Sequence, residues 1–191
     1  MRPAFLLLIS LALAPSTAVA QKPSRQPSAF LDAGPELGAR PADFSLPWAT
    51  KDGPGGEQWF SLGVQRGKVV VLAFYPKDFT AGCTAEMRTF TERYNELFGE
   101  GVEVLGINAD SLDTHVRFAS SLGLPFKLLT DKDQAVSRRF SSAGENGYNR
   151  RTVYVIGKKG EVVYRELSFV ALDPKSYDRL REAVQSARKQ R

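Results

Sequence analysis

The sequence predicts an α/β fold in which helices sandwich a mixed central sheet. Residues 68–75 form a continuous run of β-branched and aromatic side chains, which is typical of a strand covered on both faces. Apolar residues then recur three or four positions apart at Met87, Phe90 and Tyr94, and this spacing predicts an amphipathic helix over about residues 83–98. Strands and helices alternate from there on, so the strands that helices connect should be parallel.

Shorter elements complete the predicted fold. Before the long strand, two extended pieces at residues 44–48 and 58–62 are joined by the turn-rich segment 51–56. After the first helix we expect, in order, a strand at 102–108, a helix at about 112–122, a strand at 126–129, a helix at about 134–140, and strands at 152–156 and 161–166. The last two strands form a hairpin, which adds antiparallel pairing, and Pro174 starts a C-terminal helix.

The N-terminal segment has the pattern of a signal peptide. A basic start precedes an apolar run at residues 4–14, and the small residues Ala18 and Ala20 stand where a signal peptidase cleaves. The apolar run is too short for a membrane-spanning helix, so no stable membrane anchor is expected. We therefore predict a signal peptide over residues 1–20, cleavage near Ala20–Gln21, and an exported protein that is periplasmic or secreted.

The rest of the chain is predicted to form one domain. Residues 21–38 are rich in Pro, Ser and Gly and predict a flexible lead-in, and residues 39–191 form the globular domain. The formal net charge is +5, from 26 basic and 21 acidic residues, and this mild, scattered excess predicts no nucleic-acid partner. The densest basic patch, residues 188–191, is typical of a solvated helix end.

The cysteine content is unusual for an exported protein, because Cys83 is the one cysteine in the sequence. Exported proteins usually carry none or an even number, since they form disulfides. A single cysteine cannot form an internal disulfide, so it is either a buried, inert thiol or a reactive one. The sequence around it decides between these alternatives.

Cys83 lies where a helix begins. Residues 75–83 link the end of the buried strand to the start of the helix, and such loops hold the functional sites of α/β folds. Backbone N–H groups and the helix dipole favour an anion in the first helical turn, and the thiolate is the reactive form of cysteine. The Thr80 hydroxyl can both donate and accept a hydrogen bond, and Gly82, without a Cβ, lets the backbone approach closely.

These residues resemble a known family. Pro76, Thr80 and Cys83 match the Pro-x-x-x-Thr-x-x-Cys motif of the peroxiredoxins (AhpC/TSA family). Residues 74–86 resemble the branch that contains peroxiredoxin Q and bacterioferritin comigratory protein, and the resemblance extends from residue 38 to the C-terminal helix. It implies a thioredoxin fold and a peroxidase without a cofactor, in which the thiolate reduces hydrogen peroxide and organic hydroperoxides.

The family also implies an active-site arginine on a later strand, in an Arg-x-x-aromatic-x-Ile setting. Arg151 matches this pattern, and Arg150 is adjacent. Because strand neighbours point to opposite faces, only one of them can point at the cysteine, and we favour Arg151 over Arg150, with structural ion pairing as the alternative for either. Glu86 matches a family glutamate on the nucleophile helix, and pairing on the helix surface is the alternative. We assign catalytic roles to Cys83, Thr80 and Arg151, and supporting roles at the substrate site to Pro76, Gly82 and Glu86.

Two departures from the family pattern affect the mechanism. Ala81 stands where many relatives have proline, which makes the loop less stiff. Arg88 stands where many relatives carry a resolving cysteine, so this is the single-cysteine type. The Cys83 sulfenic acid must therefore be reduced by an external thiol, either a small thiol or a thioredoxin-like protein, or be oxidised further to sulfinic acid. We expect a monomer or a homodimer.

Two other functions fit the sequence less well. An exported thioredoxin-like thiol–disulfide oxidoreductase needs Cys-x-x-Cys and a proline before the strand that faces the site, whereas this chain has Glu86 and Arg151 there. A non-catalytic thiol redox sensor would keep the fold and lose turnover. The intact set of Thr80, Cys83 and Arg151 argues against a sensor, and a steady-state assay separates the two.

The remaining polar residues give weaker signals. His115 lies alone on a predicted helix, and we expect it at the surface or in a capping role. Four aspartates lack the spacing of a metal-binding loop and are interpreted as turn and helix-start residues: Asp110, Asp113, Asp131 and Asp133. We therefore expect no metal site.

Overall fold

A seven-stranded sheet organises residues 33–190, which are the residues that the computed structural model describes. In chain order the strands are β1 (Ser45–Leu46), β2 (Trp48–Thr50), β3 (Gly53–Pro54), β4 (Phe60–Ser61), β5 (Val69–Phe74), β6 (Val102–Asn108), β7 (Lys127–Thr130), β8 (Thr152–Ile156) and β9 (Val162–Glu166). The helices are α1 (Ala81–Glu92), α2 (Tyr94–Leu97), α3 (Leu112–Leu122), α4 (Ala135–Arg139) and α5 (Pro174–Lys189), and a 3₁₀ turn spans Gly63–Gln65.

The sheet is mixed, as the sequence predicts. Its strand order is β3-β2-β7-β6-β5-β8-β9. The central strands β5, β6 and β7 are parallel, because helices connect them, whereas β8 and β9 form the predicted antiparallel hairpin beside β5. A separate two-stranded sheet pairs β1 with β4.

The residues of β5 alternate between two hydrophobic cores. Val69, Val71 and Ala73 belong to the core under α1, α3 and α5, and the intervening residues of β5 belong to the core on the other face, with α4 and the β1–β4 pair. Because both faces are covered, all six residues of β5 are buried, which explains its continuous apolar run. The sandwich of helices predicted from the sequence is thus confirmed.

The predicted long helix over residues 83–98 is interrupted at Arg93. This residue has φ −104° and ψ 18°, and the chain continues as the short α2. The side chains of Thr89 and Thr91 donate to the carbonyl oxygens of Ala85 and Met87, both at 2.9 Å, and such bonds bend helices. The prediction of one uninterrupted helix was wrong because apolar spacing does not report these local bonds.

The strand β3 lies inside the segment predicted as a turn, residues 51–56. Gly53 and Pro54 pair with Thr50 and Ala49, so the turn is the tip of a small hairpin at the edge of the sheet. The hairpin joins the sheet through β2, which pairs with β7.

The predicted signal peptide, residues 1–20, and residues 21–32 of the predicted lead-in lie outside the described residues. The end of the lead-in lies against β9, because Gly38 N donates to Val162 O at 2.8 Å and Arg165 Nη1 donates to Ala33 O at 2.8 Å. Between residues 33 and 190, no helix has the length and apolar character needed to cross a membrane.

Candidate active site

Cys83 lies in the first turn of α1, directly beyond the carboxyl end of β5. Thr80 is the N-cap residue, with φ −85° and ψ 149°, and its carbonyl oxygen accepts the first helical bond, from Thr84 N at 2.8 Å. The cysteine is 1% exposed. Backbone N–H groups and the helix dipole favour a negative charge at a helix N-terminus, and Cys83 lies within the turn where they act.

Arg151 provides the charged partner of the sulfur. Its Nη2 donates to Cys83 Sγ at 3.3 Å. The contact follows from the sheet, because Phe74 at the end of β5 pairs with Thr152, which follows Arg151 in the chain. Arg150 instead donates from Nη2 to Ser141 O at 2.7 Å, so the structure brings Arg151 and not its neighbour to the cysteine.

Glu86 accepts a hydrogen bond from the second terminal nitrogen of the Arg151 guanidinium. It lies one helical turn after Cys83, its side chain is fully buried, and its Oε2 accepts a hydrogen bond from Arg151 Nη1. Burial raises the pKa of Glu86 to about 7, although Arg151 acts to lower it. The alternative of pairing on the helix surface was wrong, because the contact is buried in the site.

Arg151 keeps its charge in this environment. Burial acts to lower the pKa of Arg151, but the carboxylate of Glu86 and the contact with Cys83 outweigh it and raise the pKa above its usual value. The sulfur therefore faces a permanent cation that a buried carboxyl group orients.

Thr80 ends the loop that leads to Cys83. The side chain is exposed, and Oγ1 donates to Lys77 O at 3.1 Å. Because the hydroxyl proton is used in this bond, the oxygen lone pairs remain available to accept a hydrogen bond from a bound molecule.

Gly82 and Pro76 shape the loop. A Cβ at Gly82 would lie 3.4 Å from Arg151 Nη2, so glycine leaves the space beside the guanidinium open. Pro76 is half-buried. It follows Tyr75, whose backbone N–H donates to Ile107 O of β6 at 3.2 Å, just beyond the end of β5. Proline has no N–H, so the chain leaves the sheet at this point.

The six predicted site residues thus fall into two groups. Cys83, Arg151 and Glu86 are linked by hydrogen bonds, and Gly82 lies against the same guanidinium. The polar contact of Thr80 is made within its own loop, and Pro76 starts that loop.

His115 lies elsewhere than predicted. It is fully buried, and its Nδ1 lies 2.8 Å from Asp78 Oδ2. The expectation of a surface or capping role was wrong, because His115 shares the inner face of α3 with Phe118 and Ala119, while Ser111 caps the helix. The three- and four-residue spacing to these apolar residues was a signal for burial.

Asp78 and Asn108 were not predicted from the sequence to lie near the site. Asp78 Oδ1 accepts hydrogen bonds from Tyr75 OH at 2.6 Å and from Asn108 Nδ2 at 2.9 Å. Its backbone N–H donates to Asp110 Oδ2 at 2.7 Å. Both carboxylates lie at the carboxyl edge of the sheet, where the loop meets β6 and α3.

Asp131 and Asp133 have the predicted structural roles. Asp131 accepts from Val136 N and Ser137 N at the start of α4, and Asp133 accepts from Ala135 N at 3.1 Å. No group of three or more His, Cys, Asp or Glu side chains within residues 33–190 is arranged to hold a metal ion.

A cysteine in the first turn of a helix, at the carboxyl edge of a mixed α/β sheet and against a partly buried arginine, is an arrangement typical of a reactive thiol. Residues 37–165 match the AhpC/TSA family. The chain therefore belongs to this family, the peroxiredoxins, which are thiol-dependent peroxidases and hence oxidoreductases.

Individual relatives agree with this assignment. The chain is 37% identical over 134 residues to peroxiredoxin bcp of Coxiella burnetii, covering 66% of this chain and 85% of the relative. It is 37% identical over 129 residues to chloroplastic peroxiredoxin Q of Triticum aestivum, covering 66% of this chain and 57% of the relative. The solved structure of bacterioferritin comigratory protein from Xanthomonas campestris superposes with a TM-score of 0.65 and 27% identity, over 81% of this chain and 98% of that chain.

Proposed function

We propose that this protein reduces hydrogen peroxide and organic hydroperoxides through Cys83, and that an external thiol completes each cycle. The contact between Arg151 Nη2 and Cys83 Sγ, at 3.3 Å, carries the proposal. It places the sulfur of a helix N-terminal cysteine beside a cation. This cation can bind the peroxide oxygens and stabilise the negative charge on the departing oxygen.

In the first step the Cys83 thiolate attacks one oxygen of the peroxide. The S–O bond forms as the O–O bond breaks, the sulfur becomes sulfenic acid, and the departing oxyanion takes a proton to become water or an alcohol. Arg151 is placed to stabilise the oxyanion. The Thr80 lone pairs accept the peroxide O–H and so orient it.

In the second step an external thiol attacks the sulfenic acid. A mixed disulfide forms at Cys83 and water leaves, and a second thiol then releases the reduced cysteine and carries away the disulfide. An internal disulfide is impossible, because Cys83 is the one cysteine in the sequence. The reductant is either a small thiol or a thioredoxin-like protein.

Organic hydroperoxides are included for two reasons. The bacterioferritin comigratory protein of Xanthomonas campestris, which is 27% identical to this chain, has alkyl peroxide reduction activity. The exposed ring of Phe79 also lies four residues before the cysteine and offers an apolar surface on the preceding loop.

A steady-state assay tests the proposed function. Purified protein is supplied with hydrogen peroxide or cumene hydroperoxide and with dithiothreitol or a thioredoxin system, and peroxide loss is followed. Turnover with either reductant supports the peroxidase. A single stoichiometric oxidation without turnover would support the redox sensor, and disulfide reduction without peroxide consumption would support the thiol–disulfide oxidoreductase.

We further propose that the protein is exported after cleavage near Ala20–Gln21 and acts as a monomer or a homodimer. The basic, apolar and small-residue order of residues 1–20 supports export. N-terminal sequencing of the protein from a periplasmic fraction tests it, and intact residues 1–20 in a cytoplasmic fraction would contradict it. Light scattering of the reduced protein distinguishes the two oligomeric states.

A further inference from the structure

The loop before Cys83 has an unfavourable backbone conformation. Phe79 has φ 59°, in the left-handed region that residues with side chains seldom adopt. Such a conformation persists only where surrounding contacts hold it. These contacts come from the residue before it, Asp78, and from the ring of Phe79 itself.

Asp78 is the most heavily bonded residue of the loop. Its carboxylate accepts from Tyr75, Asn108 and His115, and its backbone N–H donates to Asp110. Burial raises the pKa of Tyr75 well above its usual value, so the phenol remains a donor. Tyr75 and Asn108 use Oδ1, which leaves Oδ2 to His115.

His115 connects this carboxylate to α3. Because Asp78 Oδ2 accepts, His115 Nδ1 carries the proton in the bond of 2.8 Å, and Nε2 has no hydrogen-bond partner among the described residues. One turn further along α3, the ring of Phe118 lies 5.0 Å from that of Phe79. The helix therefore holds the loop at two adjacent residues.

The held residues directly precede the catalytic turn. Thr80, the N-cap of α1, follows Phe79, and Cys83 lies one turn later at 1% exposure. Because the cysteine is 1% exposed, contact of a protein or a bulky thiol with the sulfur requires the loop to move away.

We propose that Asp78 and His115 are positioning residues that fasten the catalytic loop, residues 76–82, to α3. The fastened loop aligns Thr80 and Cys83 for peroxide and limits access of larger thiol reagents to the sulfur. The alignment of Thr80 and Cys83 for peroxide rests on the proposed function, whereas the limited access of larger thiol reagents to the sulfur does not.

The test compares two rates in the same full-length variants. Rapid-quench mass spectrometry gives the second-order rate constant for oxidation of Cys83 by hydrogen peroxide, and labelling with a fluorescein maleimide gives the access of a bulky reagent. His115→Leu removes the Nδ1–H donor, whereas His115→Asn retains an N–H donor at a similar position. Arg117→Ala, an exposed change on the same helix, is the matched control.

We expect His115→Leu to slow peroxide oxidation by about tenfold and to speed maleimide labelling by about tenfold, since a buried carboxylate loses a donor. His115→Asn should restore most of both rates, and Arg117→Ala should change neither. A loss of overall stability alone does not produce opposite changes of the two rates in the folded protein.

Equal or slower labelling of His115→Leu would overturn the proposal, as would faster labelling with an unchanged peroxide rate. If circular dichroism shows that His115→Leu does not fold, Tyr75→Phe decides, because it removes another donor to the same carboxylate: faster labelling supports the fastening and unchanged labelling refutes it. If wild-type Cys83 does not react with peroxide, the proposed function fails, and the labelling rates still decide whether the loop is fastened.

Discussion

Arg151 Nη2 lies 3.3 Å from Cys83 Sγ, although 68 positions separate the two residues in the chain. Antiparallel pairing of β5 with β8 brings them together, because it sets Phe74 opposite Thr152. The sheet register therefore determines the electrostatics of the sulfur, and most of the expected effects of mutation follow from this pair.

The first prediction concerns the nucleophile. Cys83→Ser should abolish consumption of hydrogen peroxide and of organic hydroperoxides, because an alcohol at this position does not ionise near neutral pH. Circular dichroism should show an unchanged fold, since the two side chains are nearly the same size. Substantial residual peroxidase activity in clean protein would remove Cys83 from the mechanism.

The second prediction concerns the groups around the peroxide. Thr80→Val and Arg151→Met should each slow oxidation of Cys83 by about tens of fold, because each removes a polar contact made in the transition state. Stopped-flow or rapid-quench measurement of the second-order rate constant with hydrogen peroxide checks both variants.

Arg150→Met is the matched control for Arg151→Met. The Arg150 guanidinium donates to Ser141 O, so its loss should cost stability on the order of 1 kcal/mol and leave the oxidation rate nearly unchanged. If the control slowed oxidation more than Arg151→Met, the assignment of the active-site arginine would be reversed.

The third prediction concerns stability and pH. Burial raises the pKa of Glu86 from 4.5 to about 7, so the folded protein retains a proton that the unfolded chain loses between these values. The stability that wild type gains relative to Glu86→Gln should therefore be present below pH 4.5, decrease as the pH rises, and be lost above pH 7, by on the order of 3 kcal/mol.

Urea unfolding of both proteins at pH 5 and pH 8 measures this difference. Glu92→Gln, an exposed change on the same helix, controls for the loss of one carboxylate. A wild-type-to-variant difference that is the same at both pH values would show that Glu86 does not take up a proton in the folded protein.

The fourth prediction concerns the fate of the oxidised sulfur. One equivalent of peroxide without reductant should give a Cys83 sulfenic acid that dimedone traps, and excess peroxide should give sulfinic acid, because no second cysteine competes for the sulfenic acid. Added thiol should form a mixed disulfide at Cys83 and then restore the thiol. Mass spectrometry of the Cys83 peptide detects each product, and a disulfide-linked homodimer as the main product would contradict reduction by an external thiol.

Local patterns in the sequence were sufficient for much of the fold and part of the site. The apolar run of β5 and the loop that follows it predicted that Cys83 lies in the first turn of a helix, and the structure agrees. The resemblance to the family favoured Arg151, strand alternation implied that Arg150 could not face the same way, and Arg151 is the one that contacts the sulfur. These features depend on residues close together in the chain, where period and spacing are informative.

Contacts between distant residues were not predictable in the same way. Asp78 and His115 are separated by 37 positions, and Glu86 and Arg151 by 65, so no periodicity connects them. His115 was expected at the surface, and the role of Glu86 was left undecided, because the partners of both residues are distant in the chain. A buried polar residue is recognised from its partner, and the partner is known only once the chain is folded.

The aromatic cluster around Phe90 has a consequence for the lifetime of the protein. Phe90 lies two turns beyond Cys83, and its ring is surrounded at 5.3 to 6.4 Å by those of Phe98, Phe126, Phe169 and Tyr177. This cluster fixes the far part of α1, so movement of its first turn leaves the apolar interior covered. If a reductant enters by movement of the first turn, each catalytic cycle should leave the apolar core covered, and the tendency to aggregate should not increase with the number of peroxides consumed.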